Sequence, residues 1–140
     1  MTLEERQAFL AQTHIGILAI QRDERAPLAV PVWYDYEPGG DVVIWISRGS
    51  LKHKLISQAG RFSFLVQQDQ PPYKYVTAEG SAVVDDQPPA REQVLKIVRR
   101  YESEDDAVAY LDSTPDDDTM IIVRMRPEKW LSTDYSKEQT

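Results

Sequence analysis

Apolar and polar residues alternate with a period of two over several short stretches of this chain, and with a helical period over fewer. Residues 14–21, HIGILAIQ, and 28–36, LAVPVWYDY, read as the first two strands. Pro31 lies inside the second and has no amide hydrogen to give a ladder, so that stretch is an edge, a bulge or a place of close approach. Glu37-Pro38-Gly39-Gly40-Asp41 is a turn by composition and predicts a hairpin into a third strand at 42–47. Gly49 and Ser50 break that strand, and 51–59 reads as a short helix with Ser50 as N-cap. Phe62, Phe64 and Val66 alternate along a fourth strand at 61–68; a fifth follows at 74–84 and a sixth at 120–125, stopped or bent by Pro127.

Three helices complete the pattern. Thr2 and Glu5 have capping-box spacing at the start of an N-terminal helix carrying Leu3, Phe9 and Leu10. Pro88 and Pro89 set the first turn of a second, whose Val94, Leu95, Val98 and Tyr101 fall on one face, and a third begins after Ser103. Short strands with hairpin connections fit an antiparallel barrel better than alternating βαβ units. The fold class is α+β with a central antiparallel barrel, and 140 residues without repeat or linker make one domain, 1–140.

Composition narrows the chemistry. No cysteine is present, which removes disulfides, thiolate metal sites and cysteine nucleophiles together. The N-terminus lacks the basic start and apolar run of a signal peptide, and no segment approaches the roughly 18 to 20 apolar residues of a membrane span. The expectation is a soluble cytoplasmic protein. A pI of about 4.8 argues against sequence-independent nucleic-acid binding, which rests on many Lys and Arg contacts to phosphate.

Charge is unevenly distributed. The stretch 42–68 holds Arg48, Lys52, Lys54 and Arg61 and no acid, so it carries +4 in a chain of net −7. By contrast 85–118 carries eleven acids against four bases and reads mostly as a solvated helical face. The basic stretch predicts one positive pocket on a strand, a Gly-Ser turn and a helix start. A helix beginning at Leu51 directs unpaired N–H groups outward, Ser50 offers a hydroxyl, and Lys52 sits in the first turn, where an anion offsets an otherwise unfavourable charge. Lys54 and Arg61 reinforce that site if the helix turns them toward it. The plainer reading is a set of surface cations on a short amphipathic helix, since no Walker or Gly-x-Gly-x-x-Gly sequence is present.

Other candidates are weaker. His14 and His53 stand on separate elements, so no metal site is expected, and Asp85-Asp86 and Asp116 to Asp118 read as solvated turns without calcium-loop spacing. Trp33, Tyr34, Tyr36 and Trp45 are either core packing or the apolar wall of a flat ligand; Tyr73 and Tyr75 stand ready to line a site from a partner.

Four segments, HIGILAI, PLAVPVWYDY, VVIWISRGSLKHKLISQAGRFSFLV and the pair YKYVTAEGSAVV with RPEKWLSTDYSK, resemble in order and spacing the flavin and deazaflavin oxidoreductases of the pyridoxamine 5′-phosphate oxidase-like superfamily. The resemblance implies a six-stranded split β-barrel, built as a homodimer with cofactor sites at the interface, and a bound FMN or coenzyme F-420, the deazaflavin. It implies that Pro31, Val32 and Trp33 lie along the ring, Trp45, Ile46 and Ser47 beneath the ribityl chain, and Ser50 and Lys52 at the phosphate. Arg48, Lys54 and Arg61 are available for the longer anionic tail of the deazaflavin, Tyr75 would sit near the ring, and Trp130 would come from the other subunit. Leu51 stands where the oxidase itself has an arginine, and the closing C-terminal arginine is missing, so oxidation of pyridoxamine phosphate is not expected. The short form and its Trp-Leu-Ser-x-Asp-Tyr-Ser-Lys tail are similar to the actinobacterial-type branch. The implied activity is hydride transfer between bound cofactor and a small unsaturated substrate, with no catalytic acid assigned. A non-catalytic protein that binds flavin, haem or another small anion on the same fold is the alternative.

Overall fold

The computed structural model describes residues 1–113 and 119–137. Asp116 to Asp118 lie outside the described residues.

Seven antiparallel strands form one curled sheet. β1 (Gly16–Arg22) lies between β2 (Arg25–Val32) and β4 (Arg61–Gln68); β4 pairs with β5 (Lys74–Asp85), β5 with β6 (Met120–Met125), and β6 with β3 (Val42–Ser47). The path is therefore β2-β1-β4-β5-β6-β3. A further strand, β7 (Lys129–Asp134), pairs with the first half of β5, while β6 takes its second half. The twelve-residue β5 thus belongs to both halves of the barrel. This is the expected split barrel, with six strands along the path and β7 beside it.

The alternation in sequence becomes two faces. Leu18, Ile20, Ile44, Phe64, Val66, Val76, Ala78, Ile121, Val123 and Met125 point inward and are buried. Gly16 is required there: a Cβ would sit 2.0 Å from the Phe64 ring, which packs edge-on against Tyr34 at 4.8 Å. One end of the core is closed by α1 (Leu3–Ala11), started by the Thr2/Glu5 capping box and anchored by buried Phe9 and Leu10, each contributing about 1.5–3 kcal/mol. The other is closed by α2 (Leu51–Ala59), which buries Leu55 and Ile56 and ends at Gly60, whose φ of 72° suits the left-handed cap.

Helices α3 (Arg91–Val98) and α4 (Glu104–Ser113) form a small second core of Val94, Leu95, Val98, Ala107 and Leu111, packed on Trp45. The described helical part of the acidic interval is therefore a packed pair, in which Asp112 pairs with Arg91 and Glu92 and Glu104 pair with Arg99.

Several expectations are corrected. Pro88 and Pro89 precede α3, which starts at Arg91 with Ala90 as N-cap, because Gln93 Oε1 accepts the Ala90 N–H at 2.9 Å and sets the first turn there. The second strand ends at Val32, short of Tyr36, because the Tyr101 hydroxyl takes the Tyr34 N–H and donates to the His14 carbonyl at 2.6 Å, closing the β1–β2 ladder. The hairpin between second and third strands does not form. β2 and β3 stand at opposite ends of the strand order, and the segment that joins them touches β3 in a single bridge, Asp35↔Val43. β7 is the strand that the sequence pattern does not announce: its inward Trp130 and Ser132 alternate with one strong apolar residue, Leu131, that faces outward.

Candidate functional site

The basic turn has the predicted local form. Gly49 has φ 77°, with open space around it, and Ser50 caps α2 by accepting the His53 N–H. His53 turns back so that its Nδ1 accepts the Gly49 N–H at 2.8 Å, which places it in the turn. Lys54 N–H is taken by the Ser50 carbonyl and Ser50 N–H by Ser47. Among the described residues, the N–H groups of Leu51 and Lys52 have no acceptor, and the ammonium groups of Lys52 and Lys54 have no ion-pair or hydrogen-bond partner. No acid occupies the first turn. The result is a helix start with unspent donors and unspent positive charge at the end of edge strand β3. A phosphate group fits those donors.

The other cations of the basic stretch do not converge there. Arg48 donates through Nη2 to the Asp86 carbonyl at 2.7 Å, and its N–H bonds to Thr119, so it fastens the turn to its neighbours. Arg61 follows Gly60 at the far end of α2, a nine-residue helix about 13 Å long at 1.5 Å per residue. It stands on the outer face of β4 beside Gln21, Ser63 and Glu79. The single positive pocket is thus two separate places, because the helix between them is rigid.

The aromatic candidates divide in the same way. Tyr34 and Tyr36 are buried in the core; burial pushes both phenols upward in pKa. Tyr34 donates to the Leu10 carbonyl at 2.6 Å and stays a neutral donor. Trp33 is 38% exposed and stacks face to face on Tyr101 at 4.8 Å. Trp45 meets Tyr110 edge-on at 5.9 Å and seats the α3–α4 pair. Much of its surface therefore packs on protein.

Strand parity places the rest. Pro31 lies on the outer face of β2, whereas Val32 and Ile46 turn toward the core, so these two offer a ligand chiefly backbone. Ser47 is exposed at the end of β3. Tyr75 is on the outer face of β5, opposite Gln67 and Thr133. Trp130 lines a cleft with Tyr36, Gly39 and Arg126, near the Val42 end of β3 and away from Ser50 at the other end. One chain therefore brings together Ser47, Ser50, Lys52 and Lys54, while Trp33 packs on Tyr101, Trp45 on Tyr110, and Trp130 stands near the other end of β3.

Tyr101 is the residue that sequence reasoning undervalues. Helical spacing predicts it on the apolar face of the second helix, yet it lies in the turn after α3, where its ring holds Trp33 and its hydroxyl holds the backbone of Tyr34. The one signal is general: a largely buried tyrosine hydroxyl needs a partner. His14 packs on Phe9 and gives Nε2–H to the Phe9 carbonyl, and burial lowers its pKa. Among the described residues no helix is long and apolar enough to cross a membrane.

No protein-family profile and no curated protein sequence matches the chain. Solved structures do. A conserved hypothetical protein from Mycobacterium tuberculosis superposes with a TM-score of 0.80 at 22% identity, over 99% of this chain and 88% of that one. An F-420 reductase gives 0.72 at 19% identity, over 89% of this chain and 94% of its own. A candidate pyridoxamine 5′-phosphate oxidase from Listeria innocua gives 0.69 at 14%, over 93% and 96%. At these identities the likeness is one of fold alone, and the fold is a split barrel.

Proposed function

We propose that the protein is a flavin- or deazaflavin-dependent oxidoreductase acting on a small unsaturated substrate, with FMN or coenzyme F-420 held by its phosphate at the start of α2. The observation that carries this reading is the unspent turn itself: two free amides, the Ser50 hydroxyl and the unpaired Lys52 and Lys54, at the end of an edge strand in a fold shared with an F-420 reductase. Ser50 and Lys52 bind the phosphate, Lys54 extends the positive surface toward a longer anionic tail, and Ser47 and Pro31 flank the approach. When bound, such a cofactor supplies the hydride transfer, and the chain's part is to orient the ring and exclude water.

The working unit is a homodimer. On the outer face of the sheet Pro31, Ile17, Leu65, Thr77 and Leu131 are cross-strand neighbours in one row, and Leu131 is 62% exposed. A second copy laid on this row covers it and carries the outward Tyr75 to a site that one chain leaves open.

The test is to titrate the purified protein with FMN and with F-420 and follow binding by fluorescence. Binding of either at micromolar affinity or tighter, about −8 kcal/mol, supports the reading. Failure of both sinks it. Tight binding without reduction of any enone, quinone or tetrapyrrole assigns the carrier role instead.

A further inference from the structure

A second open groove lies on the far side of Trp33, between the end of α3 and one face of α4, with a volume of about 420 Å³. Its lining includes Trp33, Val98, Glu102, Asp106, Ala109 and Tyr110. Asp106, Ala109 and Tyr110 share a helix face by i, i+3, i+4 spacing, next to the stripe of Ala107 and Leu111 that buries α4 against α3. The aromatic walls are held from behind by other rings. Trp33 rests on Tyr101, and Tyr110 stands against Trp45, yet 38% of Trp33 and 48% of Tyr110 remain accessible.

The charges in the groove differ from those around it. Glu92 and Glu104 share Arg99, and Asp112 pairs with Arg91. The carboxylates of Glu102 and Asp106 have no basic partner among the described residues, and no Lys or Arg lines the groove. Two unneutralised carboxylates beside two accessible aromatic faces complement a positive charge on an apolar body, since ring faces and carboxylates both attract a cation.

We infer that this groove binds a small organic cation, a quaternary or protonated amine attached to an apolar group. The cation lies against Trp33 and Tyr110, with Glu102 and Asp106 at its charge. Trp33 is shared with the cofactor site proposed above, but the groove and its carboxylates need no cofactor. If the cofactor reading holds, the groove also indicates that the substrate class is cationic.

The experiment titrates the intact protein, without cofactor, with benzyltrimethylammonium in low-salt buffer, and with benzyl alcohol as neutral control. Binding is followed by calorimetry and by NMR shifts of the Trp33 indole N–H. The cation is expected to bind about tenfold more tightly than the alcohol, and the double variant E102Q/D106N to lose that preference. Tyr110→Leu, at an exposed position, is expected to weaken the cation severalfold while the fold persists. Lys52→Ala, which disables the proposed phosphate site, leaves cation binding unchanged, so the two readings fail separately. Equal binding of cation and alcohol, an unaltered preference in E102Q/D106N, shifts confined to the outer sheet face, or no binding at roughly 10 mM probe overturns the inference.

Discussion

Arg100 and Lys52 carry the same charge and are used in opposite ways. The Arg100 side chain is 12% exposed, and its donors are spent: Nη1 on Asp35 at 3.2 Å, Nη2 on the carbonyls of Ala11 and Gln12 at 3.0 and 2.8 Å. Its guanidinium lies 4.6 Å over the Tyr34 ring. Those two carbonyls end α1, where intrahelical donors have run out, so one arginine closes a helix, pairs a carboxylate and covers an aromatic ring. Lys52 spends nothing on the fold. A cation consumed by structure is evidence about stability, and one left over at a helix start is evidence about ligands.

The largest expected break in that contrast is Arg100→Ala. It takes their arginine donor from the Asp35 carboxylate and the Ala11 carbonyl, and leaves the Gln12 carbonyl only the Tyr34 hydroxyl, so it should cost about 2–4 kcal/mol in chemical denaturation. Lys52→Ala should leave stability within about 0.5 kcal/mol while weakening FMN or F-420 by about tenfold or more, some 1.4 kcal/mol, by fluorescence titration. Unchanged affinity there would place the phosphate elsewhere. Tyr101→Phe keeps the ring under Trp33 but leaves Tyr34 N–H and His14 carbonyl without their hydroxyl; thermal unfolding should register about 1 kcal/mol. Arg61→Ala should change cofactor affinity less than about threefold, under 1 kcal/mol, because α2 separates it from Ser50. A loss equal to that of Lys52→Ala would restore the single basic pocket.

The smallest effect concerns Glu5, which lies between the two extremes. Its bond to Lys137, with the Thr2 contacts, lowers its pKa from 4.5 to about 2 at a half-exposed position. A depressed carboxyl stabilises the fold above its unfolded pKa, and that contribution fades as pH falls from about 4.5 to about 2. Denaturation of the native chain and Glu5→Gln across that window should converge at the acid end. Parallel curves would show that the exposed pair contributes nothing.

Period and punctuation made much of this legible. The third, fourth and sixth strands and the helix at 51–59 follow from alternation and from the Gly-Ser and Gly breaks, which are local signals. The hairpin was illegible because its cause is remote: Tyr101, Arg100 and the register with β1 and β6 decide where residues 33–36 go. β7 is hidden by its composition, and takes its strand form from the free first half of β5. At the site, Ser50 and Lys52 could be read because capping and first-turn placement are local. The diversion of Arg48 to Asp86 and of Trp45 to α4 could not, since both depend on partners some forty residues or more away in sequence.

Among the described residues β2 has a strand neighbour only along β1, and Pro31 opposite Ile17 cannot be a hydrogen-bonded pair, so the backbone at this parity faces away from β1. Pro27 shares that parity. Of the donors that the free margin would show at 27, 29 and 31, only the Ala29 amide exists. A strand arriving sideways finds little to zip onto, which guards the monomer against runaway sheet growth. In the proposed dimer the second copy then arrives across the sheet's face, and assembly stops at a closed pair where edge-to-edge pairing would have made a fibre.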